Sequence, residues 1–380
     1  MMTNNASSVH SVRTILVAAG GGGDAITSAA LSRALQIHEP LVIMTYSWDR
    51  LMIDPLPGPR SAADFTGLRH LGPHTAEIVP NTHARPPAGS SLPRLADQLP
   101  ARLLLLDPSA GAVGMAAQLT ATAELFEADT LTLVDVGGDV MTDGKDLGLR
   151  SPLADQLSLA ACLCTGLPTR LIIAAPGIDG ELDPAILKTR LDAAHADRLP
   201  ALTAADLAPI RGVFTWHPSE ASGLLAAAAH GSRGRVEVRD AGDQVVLTDD
   251  TPSLHAIDLA EIRDTAPGAA LTDTISLTEA SDLIRQLTGI SELDYETAKA
   301  AKRNGQPHHA VTVDDLHTID QHAQEAAERG ADFISMRRLS ELIGATTLVA
   351  YADLGNLIAT ERAARYAPSI YRTTADSGSI

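Results

Sequence analysis

The stretch "ILVAAGGGGDAITSAA", residues 15–30, decides how the chain is read. An apolar run leads into four glycines, Gly20, Gly21, Gly22 and Gly23. A carboxylate, Asp24, then opens a segment with helical spacing. A short continuous run of Ile, Leu and Val reads as a strand buried on both faces. Glycines at its end let backbone N–H groups approach a ligand, and the start of a helix favours an anion there. The expectation is an anion cradle with Asp24 beside it, holding a metal ion or a hydroxyl. On this view a valine at Gly22 would fill the ligand's space and spare the fold.

The same alternation recurs. "LVIMTY" (41–46), "RLLLLD" (102–107), "LTLVDV" (131–136), "RLIIAA" (170–175) and "GVFTWH" (212–217) read as further strands. "AVGMAAQLTATAELF" and "SPLADQLSLAACLC" between them carry helical spacing. Strand and helix in turn predict an α/β fold with a doubly wound, mostly parallel Rossmann-like sheet. "GRVEVRD" and "VVLTDD" around "AGDQ" predict a β-hairpin insertion. "TEASDLIRQLTG" predicts a capped helix ending at Gly289. Residues 13–304 are expected to form the ligand-binding domain. Residues 305–380, opening near the linker-like "NGQPHH", are expected to form a helical C-terminal extension with helices around 314–329, 336–343 and 353–365. Residues 1–12 read as a polar leader.

Composition narrows the partners. The 380 residues carry 29 Lys and Arg against 47 Asp and Glu, a net charge of −18. Such a chain repels nucleic-acid phosphates and anionic lipid surfaces. Aromatic residues are 3%, too few for base-stacking platforms. No apolar run reaches the roughly 20 residues of a membrane span, and the start lacks a signal-peptide core. Cys162 and Cys164 read as packing residues in a reducing compartment. The expected partner is a small anionic metabolite in the cytoplasm, with a homo-oligomer left open.

Ligands of open parallel sheets bind beyond the carboxyl ends of the strands. There the sequence places Asp24, then Asp49 and Asp54, then Asp107, then Asp135, Gly137, Gly138 and Asp139, then Asp179 and Glu181, then His217 and Glu220. Carboxylates gathered at one rim persist if Mg²⁺, sugar hydroxyls or a substrate amine joins them. Asp135 and Asp139 are expected to bind the metal or activate a hydroxyl, with Glu220 and His217 as further catalytic groups. The others, and Ser151, are expected to bind substrate. Each has a plainer reading: tight packing for the glycines, a helix cap for Asp24, a turn for Asp107, a core histidine for His217, a solvated helix start for "LDYE". A Walker loop needs Lys-Ser or Lys-Thr where the chain has Asp24-Ala25. The glycines are contiguous, which makes a poor dinucleotide fingerprint.

"GGGGDAI", "SWDRLMIDPLPGPR", "DVGGDVM", "SPLADQLSLAA", "GIDGEL", "EAS" and "SELDYE" occur in this order between residues 20 and 296. Together they resemble domain-of-unknown-function family 1152, over roughly residues 13–300. The resemblance implies a Rossmann-like α/β fold and no settled activity. Asp49 stands where the family is expected to read "SWER". Ile178 stands where a cysteine often precedes the Asp of "DGEL", which argues against an essential thiol there. The expected chemistry is phosphoryl or glycosyl transfer or hydrolysis on a phosphorylated or nucleotide-like substrate. Two alternatives stay open: a metal-free lyase or cyclase on an amino-acid-like substrate, and a non-enzymatic nucleotide-sensing module.

Overall fold

A computed structural model describes residues 13–37, 39–239, 242–303 and 309–374. The polar leader and most of "NGQPHH" lie outside them. Among the described residues the centre is a nine-stranded mixed sheet. Its strands are β1 (Thr14–Ala18), β2 (Val42–Thr45), β3 (Arg69–Gly72), β4 (Thr75–Ile78), β5 (Arg102–Leu105), β6 (Thr130–Val136), β7 (Thr169–Ala174), β8 (Asp197–Leu199) and β9 (Leu254–Asp258). The spatial order is β8-β9-β7-β6-β1-β2-β5-β4-β3. The five central strands, β7, β6, β1, β2 and β5, are parallel. The outer pairs are antiparallel.

The continuous apolar runs are explained by burial on both faces. Leu16, Ala18, Ile43 and Ile172 face one side, where helices α1 (Gly22–Ala34) and α4 (Glu220–Ala229) pack. Ile15, Val17, Met44 and Ile173 face the other, under α2 (Gly111–Phe126) and α3 (Pro152–Thr165). This is the two-residue period of a strand with each face in use. Each such buried Leu, Ile, Val or Met side chain contributes about 1.5–3 kcal/mol over an exposed one. From β1 the chain builds outward through β2 and β5, then returns beside β1 with β6 and β7. The order therefore reverses between β1 and β6.

"GVFTWH" does not form a strand. Val213–Thr215 is a short 3-10 turn, with Val213, Phe214 and Trp216 buried on the α1 face. A brief apolar run reads alike whether it is a strand or a buried helical turn. The outer strands β8, β9, β3 and β4 escaped sequence reading. "TEASDLIRQLTG" forms α5 (Leu277–Thr288), capped by Ser276 and closed by Gly289 at φ 76°. Helix α6 (Glu292–Arg303) follows.

The hairpin, Gly234–Val238 and Asp243–Leu247, belongs to a second sheet rather than standing as an insertion. Its residues 240–241 lie outside the described ones. Phe333–Ser335 from the C-terminal part pairs parallel to Gly234–Val238, with Val236 opposite Phe333, and Ile370–Arg372 pairs beyond it. The C-terminal part thus carries strands besides its helices Asp315–Glu328, Met336–Leu342 and Leu348–Glu361. Met52 of the loop after β2 sits in its core with Ile334, Leu339, Tyr351 and Leu354. Among the described residues no helix is long and apolar enough to cross a membrane.

Candidate functional site

A cavity of about 220 Å³ opens beyond the carboxyl ends of β1 and β6, where the strand order reverses. Such reversals are where open α/β sheets hold ligands. Its floor is acidic: Asp24, Asp135, Asp139, Asp155, Asp179, Glu181 and Glu292 line it. Asp24 lies in the first turn of α1 and Asp155 in the first turn of α3, where the positive helix ends favour carboxylates. Helix α3 starts sharply at Pro152 after Ser151. Oxygens of Asp135, Asp139 and Asp155 lie within 4.8 Å of one another.

Burial and mutual repulsion dominate the electrostatics. Burial, then Asp135, pushes Asp24 well above the carboxylate range. Burial, then Asp155 and Asp135, does so to Asp139. Burial, then Asp135 and Asp24, does so to Asp155. Burial and then Glu181 raise Asp179 to about 8. Burial raises Asp135 only to about 6, because the N–H groups of Val140 and Gly138 donate to it at 3.0 and 3.3 Å. Burial, then Glu296, raises Glu292 strongly.

Two glycines earn their place by shape. Gly137 has φ 123°, and a Cβ there would run into the Asp179 carboxylate. Gly21 has φ 123°, with the Trp48 carbonyl 3.3 Å from where its Cβ would lie. Gly20, Gly22 and Gly23 line the cavity, with side chains packed closely behind them. A Cβ at Gly22 would lie 3.2 Å from Ser91 Oγ and 3.3 Å from His217 Nε2, and one at Gly23 would lie 2.5 Å from Ser219 Oγ. A valine at Gly22 therefore meets protein before it meets ligand space. Asp24 accepts the N–H groups of Gly20 and Val136, which ties the first turn of α1 to the ends of β1 and β6.

The remaining expected residues divide. Ser151 and Glu181 line the cavity together: the Ser151 hydroxyl donates to Glu181 at 2.7 Å, and Glu181 also accepts the N–H groups of Arg150 and Ser151. Gly138 begins the turn that delivers Asp139. Glu220 lines the cavity and accepts from the Arg239 N–H and the Ser335 hydroxyl. Asp49 lines it too, but Ser91 donates to its carboxylate through Oγ and N at 2.5 and 2.9 Å. Burial lifts Asp49 to about 6. His217 is neutral, pushed down to about 3 by burial and then by Arg50. The Ser219 N–H donates to its Nδ1, which assigns the proton to Nε2, 3.3 Å from Ser91 Oγ. Ser91 thus sits between histidine and carboxylate, donating to the acid, and is no activated nucleophile.

Asp54 and Asp107 stand apart from the cavity. Asp54 pairs with Arg60 at 2.9 Å and accepts from Leu56 and Gly89 N–H groups, bracing the "IDPLPGPR" loop. Asp107 caps the turn at Pro108–Ala110 and accepts the Ala62 N–H at 2.7 Å. Its turn reading was the physical one.

Sequence reasoning missed Asp155, Glu292 and the basic residues. Asp155 had a signal, a lone acid inside the apolar "SPLADQLSLAACLC". In "SELDYE", Glu292 accepts the Leu153 N–H at 3.1 Å, and Glu296 accepts from Trp48 Nε1 at 3.0 Å and the Gly58 N–H at 2.8 Å. That segment fastens "SWDRLMIDPLPGPR" to the site. Arg239, at a positive φ of 64°, donates to the Asp179 carbonyl and lies 3.9 Å from Glu181. Arg50, Lys299, Arg303 and Arg337 line the cavity on another wall.

A mixed α/β sheet with a parallel centre and an acidic cavity at its strand reversal defines a class, and the chain's membership is specific. It belongs to the family described as "Protein of unknown function (DUF1152)", whose profile matches residues 15–300. Comparison with curated proteins and with solved structures found no match.

Proposed function

We propose that the protein is a metal-dependent enzyme that transfers or hydrolyses a phosphoryl or glycosyl group on a small phosphorylated or nucleotide-like metabolite. One observation carries this reading: the oxygens of Asp135, Asp139 and Asp155 converge within 4.8 Å in a buried cavity. Oxygens around a bound Mg²⁺ at about 2.1 Å lie about 3 to 4 Å apart, so this set is within reach of one ion. All three donors are hard carboxylates, the chemistry Mg²⁺ and Mn²⁺ select. Buried acids that repel one another are also what a missing dication would relieve.

Asp135, Asp139 and Asp155 would hold the ion, which when bound supplies charge stabilisation at an oxygen of the reacting centre. Asp179, raised to about 8, holds its proton at neutral pH and stands ready to give it to a leaving oxygen. Arg239 fixes Asp179 and Glu181 through the Asp179 carbonyl. The parallel order β7-β6-β1-β2-β5, with helices on both faces, supports a Rossmann-like, doubly wound reading of the fold. The net charge of −18 supports a small ligand over nucleic acid or an anionic membrane. The free cysteines support a reducing cytoplasm.

Asp135, raised only to about 6 and so ionised at neutral pH, also favours a second reading, proton abstraction without metal. Thermal-shift screening of nucleotides, sugar phosphates and amino acids, with Mg²⁺ or with EDTA, separates the two. Stabilisation by phosphorylated compounds only with Mg²⁺ is expected. Stabilisation by amino acids in EDTA would favour the second.

A further inference from the structure

The acidic floor cannot by itself receive an anionic substrate, yet the same cavity has a cationic wall. Arg50 comes from the loop after β2, Arg303 from the end of α6 and Arg337 from the helix Met336–Leu342. Three distant segments converge there in a chain whose acids far outnumber its bases. Arg239 belongs to the floor, since it holds the Asp179 carbonyl. Arg303 and Arg337 instead face the C-terminal part: Arg303 donates to the Thr346 carbonyl, and Arg337 Nε lies 3.4 Å from Glu341 Oε1. Glu341 also attracts Arg303, while Arg337 repels it. Both guanidiniums therefore lie beside one carboxylate, whose buried Oε2 has no hydrogen-bond partner among the described residues. Arg50 is exposed, and its charge reaches both His217 and Glu292.

We propose that Arg50, Arg303 and Arg337 form a phosphate subsite of this cavity that holds a terminal phosphoryl group of the substrate and is completed by the C-terminal part of the chain. The proposal rests on reading this cavity as the substrate site. A single carboxylate is matched by one guanidinium fork; a phosphoryl group, with more oxygens and up to two charges, calls for several. The polarity of the cavity then orients its ligand, phosphate toward the arginines and reacting centre toward Asp135, Asp139 and Asp155. Arg337 lies beyond residue 300, where the family match ends. The subsite thus joins Arg50 of the matched region to Arg303 and Arg337 beyond it.

The test is calorimetric titration of the full chain with inorganic pyrophosphate at low salt, alongside Mn²⁺ titration followed by electron paramagnetic resonance. Arg337→Gln and the exposed Arg50→Gln should each weaken pyrophosphate about tenfold or more, since charge-assisted hydrogen bonds are lost. Both should keep wild-type Mn²⁺ affinity, which also reports that they are folded. Arg337→Lys should recover part of the loss. Wild-type pyrophosphate affinity in both glutamine variants would overturn the subsite, as would no pyrophosphate binding by the wild type with or without Mn²⁺. Weakened pyrophosphate binding in the variants of a protein that binds no Mn²⁺ would sustain the subsite and sink the metal reading.

Discussion

Asp24 and Asp155 close on Gly20 from two helix starts: a Cβ at that glycine would lie 2.8 Å from Asp24 Oδ2 and 3.4 Å from Asp155 Oδ1. Asp24 is among the charges that raise Asp155. Two buried acids at this spacing store repulsion in the protein unless a cation or a proton joins them. The tests below exploit that stored repulsion.

Asp139→Asn removes one of the repelling charges. The metal-free variant should melt no lower than wild type and up to about 1–3 °C higher, given relief on the order of 1 kcal/mol. Its Mn²⁺ affinity should fall about tenfold or more. Calorimetry in EDTA and a Mn²⁺ titration check both. A clear drop in melting temperature would make Asp139 a structural hydrogen-bonding residue.

The pH dependence follows from the raised acids. A carboxyl raised by folding stabilises the fold while protonated, and that contribution disappears as pH rises through its folded value. His217 acts oppositely: depressed to about 3, it favours the fold above the ordinary histidine value, and its effect is complete above roughly pH 6.5. Between pH 6.5 and 8 the loss of the Asp179 contribution, which runs from the ordinary aspartate range up to about 8 and then levels off, therefore stands clear of it. The metal-free melting temperature should decline across this window, and Asp179→Asn should flatten the decline. An equally steep decline in the variant would show that Asp179 is not the group responsible.

Gly23→Ala should destabilise the protein by about 1–3 kcal/mol, because the added carbon meets Ser219 Oγ at 2.5 Å. Urea unfolding measures it. An unchanged midpoint would mean that the turn can open, and the anion cradle at the glycines would again be tenable.

Removing residues 309–380 should yield a protein that melts broadly or precipitates. The cut strips the Phe333–Ser335 partner from Gly234–Val238 and uncovers Met52. A sharp, cooperative melt of the shortened chain would show that residues 13–303 complete their own core.

The central fold was legible because a strand covered on both faces must be continuously apolar, as Ile15–Ala18 and Leu103–Leu106 are. "GVFTWH" was misread because a turn buried on one face has the same composition. Asp135, Asp139, Asp179 and Glu181 could be placed because strand ends deliver them in chain order. Asp155 and Glu292 reach the cavity from helix starts, which no strand-end rule covers. Asp54 and Asp107 looked equivalent to them on paper. Only the partners, Arg60 for one and a capped turn for the other, tell a brace from a ligand. The cationic wall was illegible because Arg50, Arg303 and Arg337 are far apart in sequence and share no motif.

The parallel pairing of Val236 with Phe333 also sets an order of events in the life of the chain. Synthesis runs from the amino end, and early segments begin to fold first. The acids at the ends of β1, β6 and β7 leave the ribosome well before Arg337 does. A nascent chain can therefore gather its charged floor without the wall that would steer a substrate onto it. The proposed phosphate subsite would be complete only once the last strands, up to Ile370–Arg372, have emerged and docked.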